Sequence, residues 1–146
     1  IAAIGQEDKQ LFSVFDPTMG SGSLMLNIRN YLNYPESVKY HGQELNTTTF
    51  NLAKMNLILH GVDNEDIRLR NGDTLNKDWP TDEPYTFDSV VMNPPYSANW
   101  SADDTFLDDS RFNKYGKLAP KSKADFAFLL HGFYHLKDSG TMASLP

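Results

Sequence analysis

The chain has 146 residues, a formal net charge of −6 at pH 7, 40% hydrophobic and 22% charged residues, and no cysteine. That length and composition suit one soluble domain with a real core, and the lack of cysteine excludes disulfide, zinc–thiolate and cysteine-nucleophile chemistry. The acidic balance argues against a strong grip on nucleic acid by this chain alone, so any such substrate needs another domain or subunit to bring positive charge.

Residues 11–15 (Leu-Phe-Ser-Val-Phe) read as a first strand, running into a turn-rich stretch at 16–23. Ser23 opens an apolar helix through Leu24, Met25, Leu26 and Ile28 to about Tyr31. Residues 38–43 form a second expected strand that ends at Glu44. A helix capped by Asn46 or Thr47 follows, carrying Leu52, Ala53, Met55, Leu57 and Leu59 until Gly61 stops it. The alternation at 67–70 predicts a third strand, and the run at 87–92 a fourth. Residues 97–123 show no clear period and hold Asp103, Asp104, Asp108 and Asp109, which fits either a functional loop or a disordered insert. A strong helix is expected over 125–136, with Phe126, Leu129, Leu130, Phe133 and Leu136 on one face. Gly140 then breaks the pattern before a fifth strand at 141–145. Strands alternating with helices imply a parallel sheet covered on both faces. No internal repeat, membrane-length apolar run or signal peptide stands out, and a cytoplasmic enzyme or subunit is expected. The chain starts at Ile1 and stops at Pro146 after a strand-like run, which reads as an internal segment of a longer protein.

In open α/β sheets, ligands bind at the carboxyl ends of the strands. Four chemically notable stretches fall at those ends here. Asp16, Pro17, Thr18, Met19, Gly20, Ser21, Gly22 and Ser23 make a glycine-rich turn that lets backbone approach a ligand. This turn lacks the lysine of a phosphate loop and the third glycine of the dinucleotide fingerprint, whose place Met25 takes. Glu44 suits the vicinal hydroxyls of a ribose, although a carboxylate favoured by the following helix dipole explains it equally well when taken singly. Asp73 could accept from the exocyclic amine of an adenine, or be an ordinary turn aspartate after Asn71 and Gly72. Asn93, Pro94, Pro95 and Tyr96 close the fourth strand with an amide, two residues unable to continue a ladder, and a ring, a set suited to holding a planar amine. Together these describe an adenosine pocket without a phosphate site, which points to S-adenosylmethionine. His131 and His135 sit four apart on the last helix, but no third ligand stands at a known spacing. They read as a core or surface pair, and no metal is expected.

The stretch 16–24 resembles the cofactor loop of amino-methyltransferases, and Asn93-Pro94-Pro95-Tyr96 matches their catalytic motif in full. Stretches 42–46, 56–61, 71–75, 122–128 and 139–143 resemble one branch in particular, the modification subunit of type I restriction–modification systems, an adenine-N6 DNA methyltransferase. The resemblance implies a class I S-adenosylmethionine-dependent methyltransferase fold, a Rossmann-like three-layer α/β sandwich, here truncated to about five mainly parallel strands. It extends the cofactor contacts to Leu45 and Thr74. It also implies that residues 1–146 form a partial catalytic domain, since the family has a helical region upstream and further strands downstream. The partners it implies are DNA delivered by a specificity subunit, a second modification subunit and a nuclease subunit. Rival readings are a guanine-N2 RNA or glutamine-N5 protein methyltransferase with the same loop, a nicotinamide-dependent oxidoreductase, and an inactive cofactor-binding or assembly module.

Overall fold

The computed structural model describes residues 11–95 and 99–145, with only the backbone at 115. Five strands form one sheet: β1 (Phe12–Asp16), β2 (Val38–Glu44), β3 (Ile67–Asn71), β4 (Phe87–Met92) and β5 (Leu136–Ser144). Their spatial order is β3-β2-β1-β4-β5, and every pairing is parallel. The chain therefore runs outward from β1 to β3, then crosses back to β4. That reversal of order beside β1 opens a crevice at the carboxyl ends of β1 and β4.

Alternation along the strands sends side chains to two separate cores. Phe12, Val14, Val38, Tyr40 and Val91 pack under the short helix α1 (Ser23–Ile28) and α2 (Thr47–Leu59), against Met25, Leu26, Ala53 and Leu57. Phe15, Phe87, Val90 and Met92 face the other way, toward α3 (Ala124–Tyr134) and the segment that precedes it. Both faces of the sheet are thus covered, as parallel sheets require, and the expected three-layer Rossmann-like arrangement is the one present.

Four details differ from the sequence expectations. The first helix is α-helical only to Ile28, and residues 29–31 tighten into a 3₁₀ turn. On α2, only Ala53 and Leu57 are buried, while Leu52, Met55 and Leu59 face outward. On α3, the buried residues are Ala124, Ala127, Phe128, His131 and Gly132, whereas Phe126 and Phe133 are 53% and 59% exposed. The reason is close approach. A Cβ on Gly132 would lie 2.3 Å from Met92 Cε and 3.2 Å from Val90 Cγ1, so a glycine stands at the closest approach, Phe126 and Phe133 are turned away, and Leu129 and Leu130 of the expected face pack partly buried against the second core. Last, Gly140 does not end α3. The helix ends at Tyr134, where the following His135 is held by Asp78 Oδ1 at 2.9 Å and by the Tyr85 carbonyl at 2.6 Å. Gly140 lies inside β5, where the pairing with β4 shifts register between Phe87 and Ser89.

Residues 99–123, expected as a functional loop or a disordered insert, are a packed unit. Trp100, Phe106 and Phe112 bury their rings against one another with centroids 5.2, 5.5 and 5.9 Å apart. The Trp100 indole N–H donates to the carbonyls of Ala119 and Pro120, which closes the segment on itself. A polar composition concealed three well-spaced aromatics that are enough to order the backbone around them.

Candidate active site

The expected residues at four strand ends converge on one cleft of about 700 Å³. Pro17, Thr18 and Gly20 reach it from the β1 end, Glu44 and Leu45 from β2, Asp73 and Thr74 from β3, and Asn93 and Pro95 from β4. Gln43, Asn46, Thr47 and Phe128 also line it. Their roles were not evident from the sequence, because Gln43 sits within a strand, Asn46 and Thr47 serve the cap of α2, and Phe128 comes from a distant helix. No lysine or arginine lines the cleft among the described residues.

The glycine-rich turn is held by its own backbone. Met19 N–H donates to the Gln43 carbonyl at 3.0 Å and Gly22 N–H to the Met19 carbonyl at 2.7 Å. Gly20 and Gly22 have φ of +53° and +78°, in the left-handed region that side chains disfavour. Met19 points down into the first core, where its sulfur occupies the space above Gly42. Ser21, Gly22 and Ser23 belong to the start of α1 and do not line the cleft; Ser21 and Ser23 pair through their hydroxyls at 2.8 Å. Met19 also lies outside the lining, as an anchor below it.

Asp16 is buried beneath the turn. Its Oδ1 accepts from Thr18 N–H at 2.9 Å and from the Thr18 hydroxyl at 3.3 Å. Burial outweighs those bonds, and Glu44 adds to it, pushing the Asp16 carboxyl up to about 7. The Thr18 hydroxyl also accepts Asn93 N–H at 3.2 Å, tying the β1 turn to the end of β4.

Glu44 stands at the start of α2, as one of the two readings weighed for it requires, and also lines the cleft. Its Oε2 accepts Gly20 N–H at 3.0 Å and its Oε1 accepts Asn46 N–H at 2.8 Å, while Asn46 caps α2 through Oδ1 and Thr49 N–H. The carboxylate thus orders the glycine turn and the helix start, and still lines the cleft. Asp73 is a turn aspartate, with Oδ1 accepting from Leu75 and Asn76 N–H at 3.0 and 3.3 Å. Among the described residues nothing donates to its Oδ2. The Thr74 hydroxyl donates to the Pro17 carbonyl at 2.5 Å, joining the β3 and β1 loops.

At the β4 end, Asn93 and Pro95 are exposed to the cleft and Pro94 is buried. Tyr96 lies outside the described residues. His131 of α3 and His135 just beyond its end are core residues, and Asp78 stands beside them, so that one ligand atom from each of the three lies within 4.8 Å of the others. Arg111 Nη1 lies 3.1 Å from His131 Nδ1, so a guanidinium already supplies positive charge there, and both His135 nitrogens are engaged. Burial first, then His135 and Arg111, push the His131 pKa well down and keep it neutral.

A family model for N-6 DNA methylases matches residues 1–145. The chain belongs to the N-6 DNA methylase family. This family member is 43% identical to the Type I restriction enzyme MpnII methylase subunit of Mycoplasma pneumoniae, over 97% of the chain and 28% of the relative. The HindI methylase subunit of Haemophilus influenzae is 33% identical over 90% of the chain and 30% of its own length. The crystal structure of the type I restriction–modification system methyltransferase subunit from Streptococcus thermophilus superposes with a TM-score of 0.94 at 64% identity, covering 98% of this chain and 31% of that one. The N-6 DNA methylase chain therefore spans about a third of the length of these relatives. Among its described residues no helix is long and apolar enough to cross a membrane.

Proposed function

We propose that this chain forms the catalytic part of an adenine-specific DNA methyltransferase, which moves a methyl group from S-adenosylmethionine to N6 of an adenine turned out of the duplex. The observation that carries the reading is a single cleft in which Glu44 and Asp73 face Asn93 and Pro95 with no basic residue among its described lining. Such a lining suits a ligand that is cationic and has no phosphate, and S-adenosylmethionine fits both conditions. When bound, it supplies an electrophilic methyl on a sulfonium. Glu44 would take the ribose hydroxyls and Asp73 Oδ2 the adenine amine of that cofactor, with Gly20 allowing close approach and Leu45 and Thr74 bounding the ring. Asp16, Pro17, Thr18, Met19, Ser21, Gly22 and Ser23 build the turn that sets this geometry.

The target amine is a poor nucleophile because its lone pair is delocalised into the ring. Asn93 Oδ1 and the Pro94 carbonyl would accept hydrogen bonds from its two N–H groups. Both bonds strengthen as positive charge grows on nitrogen, so they favour the transition state over the ground state. Placement of the amine in the cleft supplies much of the remaining acceleration. Pro95 stiffens the motif, and Tyr96 would stack on the face of the flipped base. Residues 1–146 would act as a partial catalytic domain within a modification subunit. Its partners would be a specificity subunit that delivers DNA, a second modification subunit and a nuclease subunit.

The test is methyl transfer by the full-length polypeptide with its specificity subunit, using labelled S-adenosylmethionine. N6-methyladenine in DNA is expected. Methyl groups found instead on RNA guanine or protein glutamine would overturn the substrate, and failure to bind the cofactor would overturn the whole reading.

A further inference from the structure

Arg111 is the one fully buried cation among the described residues, with its side chain 0% accessible. It lies in the packed segment after the Asn-Pro-Pro-Tyr motif, far in sequence from the Thr74 and Leu75 carbonyls it binds. Its Nε and Nη2 hydrogen bond to the Asp109 carboxylate at 3.0 and 2.7 Å. Nη2 also donates to the Leu75 carbonyl at 3.1 Å, and Nη1 donates to the Thr74 carbonyl at 2.8 Å and to His131 Nδ1 at 3.1 Å. A guanidinium has five N–H groups, and here all five have an acceptor. Asp109 is charged to match, because the Arg111 bonds outweigh its partial burial and hold its pKa below the ordinary value.

The two carbonyls belong to the turn that carries Asp73 into the cleft. From there a chain of bonds runs back to the amine-binding motif. The Thr74 hydroxyl donates to the Pro17 carbonyl, and the next residue, Thr18, accepts Asn93 N–H. The segment leaving the motif thus returns to grip the cofactor wall from behind, and the loop is closed through the cleft itself.

We infer that Arg111 is a positioning residue, which sets the Asp73–Thr74–Leu75 turn for the cofactor and couples that turn to the segment following Asn93. The inference rests on the cofactor site proposed above. A lysine cannot replace it, since three donors on a flexible stem cannot serve a carboxylate, two carbonyls and an imidazole in one plane. A guanidinium serving only to pack the 99–123 segment would instead affect stability and leave the cofactor site alone.

Titration of the full-length polypeptide with S-adenosylmethionine separates the two roles. Arg111→Lys should raise the cofactor Kd about tenfold or more, while Trp100→Phe, which loosens the same segment away from the cleft, should leave it within about twofold. Asp109→Asn keeps the arginine but frees its fork, and should raise Kd about threefold or more even if Arg111→Lys fails to fold. A wild-type Kd for folded Arg111→Lys or for Asp109→Asn, or an equal rise for Trp100→Phe at matched melting temperature, would overturn the inference. No binding by the wild-type polypeptide would overturn the functional reading and this inference with it.

Discussion

The two walls of the cleft are held by different means. On the proposed cofactor side, the side chains are fixed mainly within a few residues of their own strand ends: Asp16 by Thr18, Asp73 by Leu75 and Asn76, Glu44 by Asn46 with one longer reach to Gly20. On the proposed amine side, Asn93 N–H donates to Thr18, and the segment beyond it is secured by Arg111 reaching across to residues 36 and 37 positions earlier. Local bonds set the side chains of the first wall, but its Asp73–Thr74–Leu75 turn also rests on Arg111 and on the Thr74–Pro17 bond. These long-range bonds make both the turn and the segment after Asn93 depend on the assembled fold, so that they can be disturbed from a distance.

The sharpest way to separate the walls is Asn93→Ala in the full-length enzyme with its partner subunit. Methyl transfer should fall by roughly 10²–10⁴, while the cofactor Kd changes by less than about threefold. A parallel loss of cofactor affinity would mean that the walls are not separate. Next is Gly42→Ala. Its Cβ would lie 2.5 Å from Met19 Sδ and 3.2 Å from Leu69 Cδ2, so the glycine turn must lift or the core must shift. A cost of about 1–3 kcal/mol in chemical denaturation is expected, together with weaker cofactor binding because Met19 anchors the turn. Asp73→Asn divides that residue's two roles. The amide oxygen can still accept from Leu75 and Asn76, so the melting temperature should hold, while the loss of Oδ2 as an acceptor should weaken cofactor binding several-fold, on the order of one charge-assisted hydrogen bond.

The smallest effect concerns pH. Asp16 has a folded pKa raised to about 7, so the native state holds its proton more tightly than the unfolded chain, and its contribution to stability falls as pH rises from about 4 to 7. His41 has a folded pKa lowered to about 4, chiefly by burial and then by Arg68, and burial lowers that of His131 well below its ordinary value. Those two contribute stability that is lost as pH falls below about 6.5, the ordinary histidine value. Between about pH 4 and 6.5 the aspartate therefore offsets part of the histidine effect. Asp16→Asn should expose it, giving a melting temperature that falls more steeply on acidification through that window than in the wild type. Equal slopes for the two proteins, followed by thermal unfolding across pH 4–8, would refute the assignment.

Much of this architecture was legible because it is periodic or chemically unusual. The fourth strand at 87–92 lies where the apolar run places it, and the other strand starts or ends are off by a residue or so, except β5. The strand-end motifs also met at one cleft, as parallel topology requires. What failed was anything that depends on which neighbour an element meets. On α3 the expected face held for Leu129 and Leu130 but not for Phe126 and Phe133, and the seam includes Gly132 instead, because Met92 and Val90 stand too close to it for a side chain. Gly140 read as a stop and became a strand residue for the same kind of reason.

Residues 16–23 and 93–95 declare their backbone conformation from sequence alone, since turn glycines and prolines at a strand end are local facts of the chain. Arg111 does not. In sequence it is one charge within a polar stretch, and only the tertiary fold brings Thr74, Leu75, Asp109 and His131 around it. Local conformation is encoded by neighbours along the chain; the pairing of a buried charge is decided by neighbours in space, which a periodic pattern does not name.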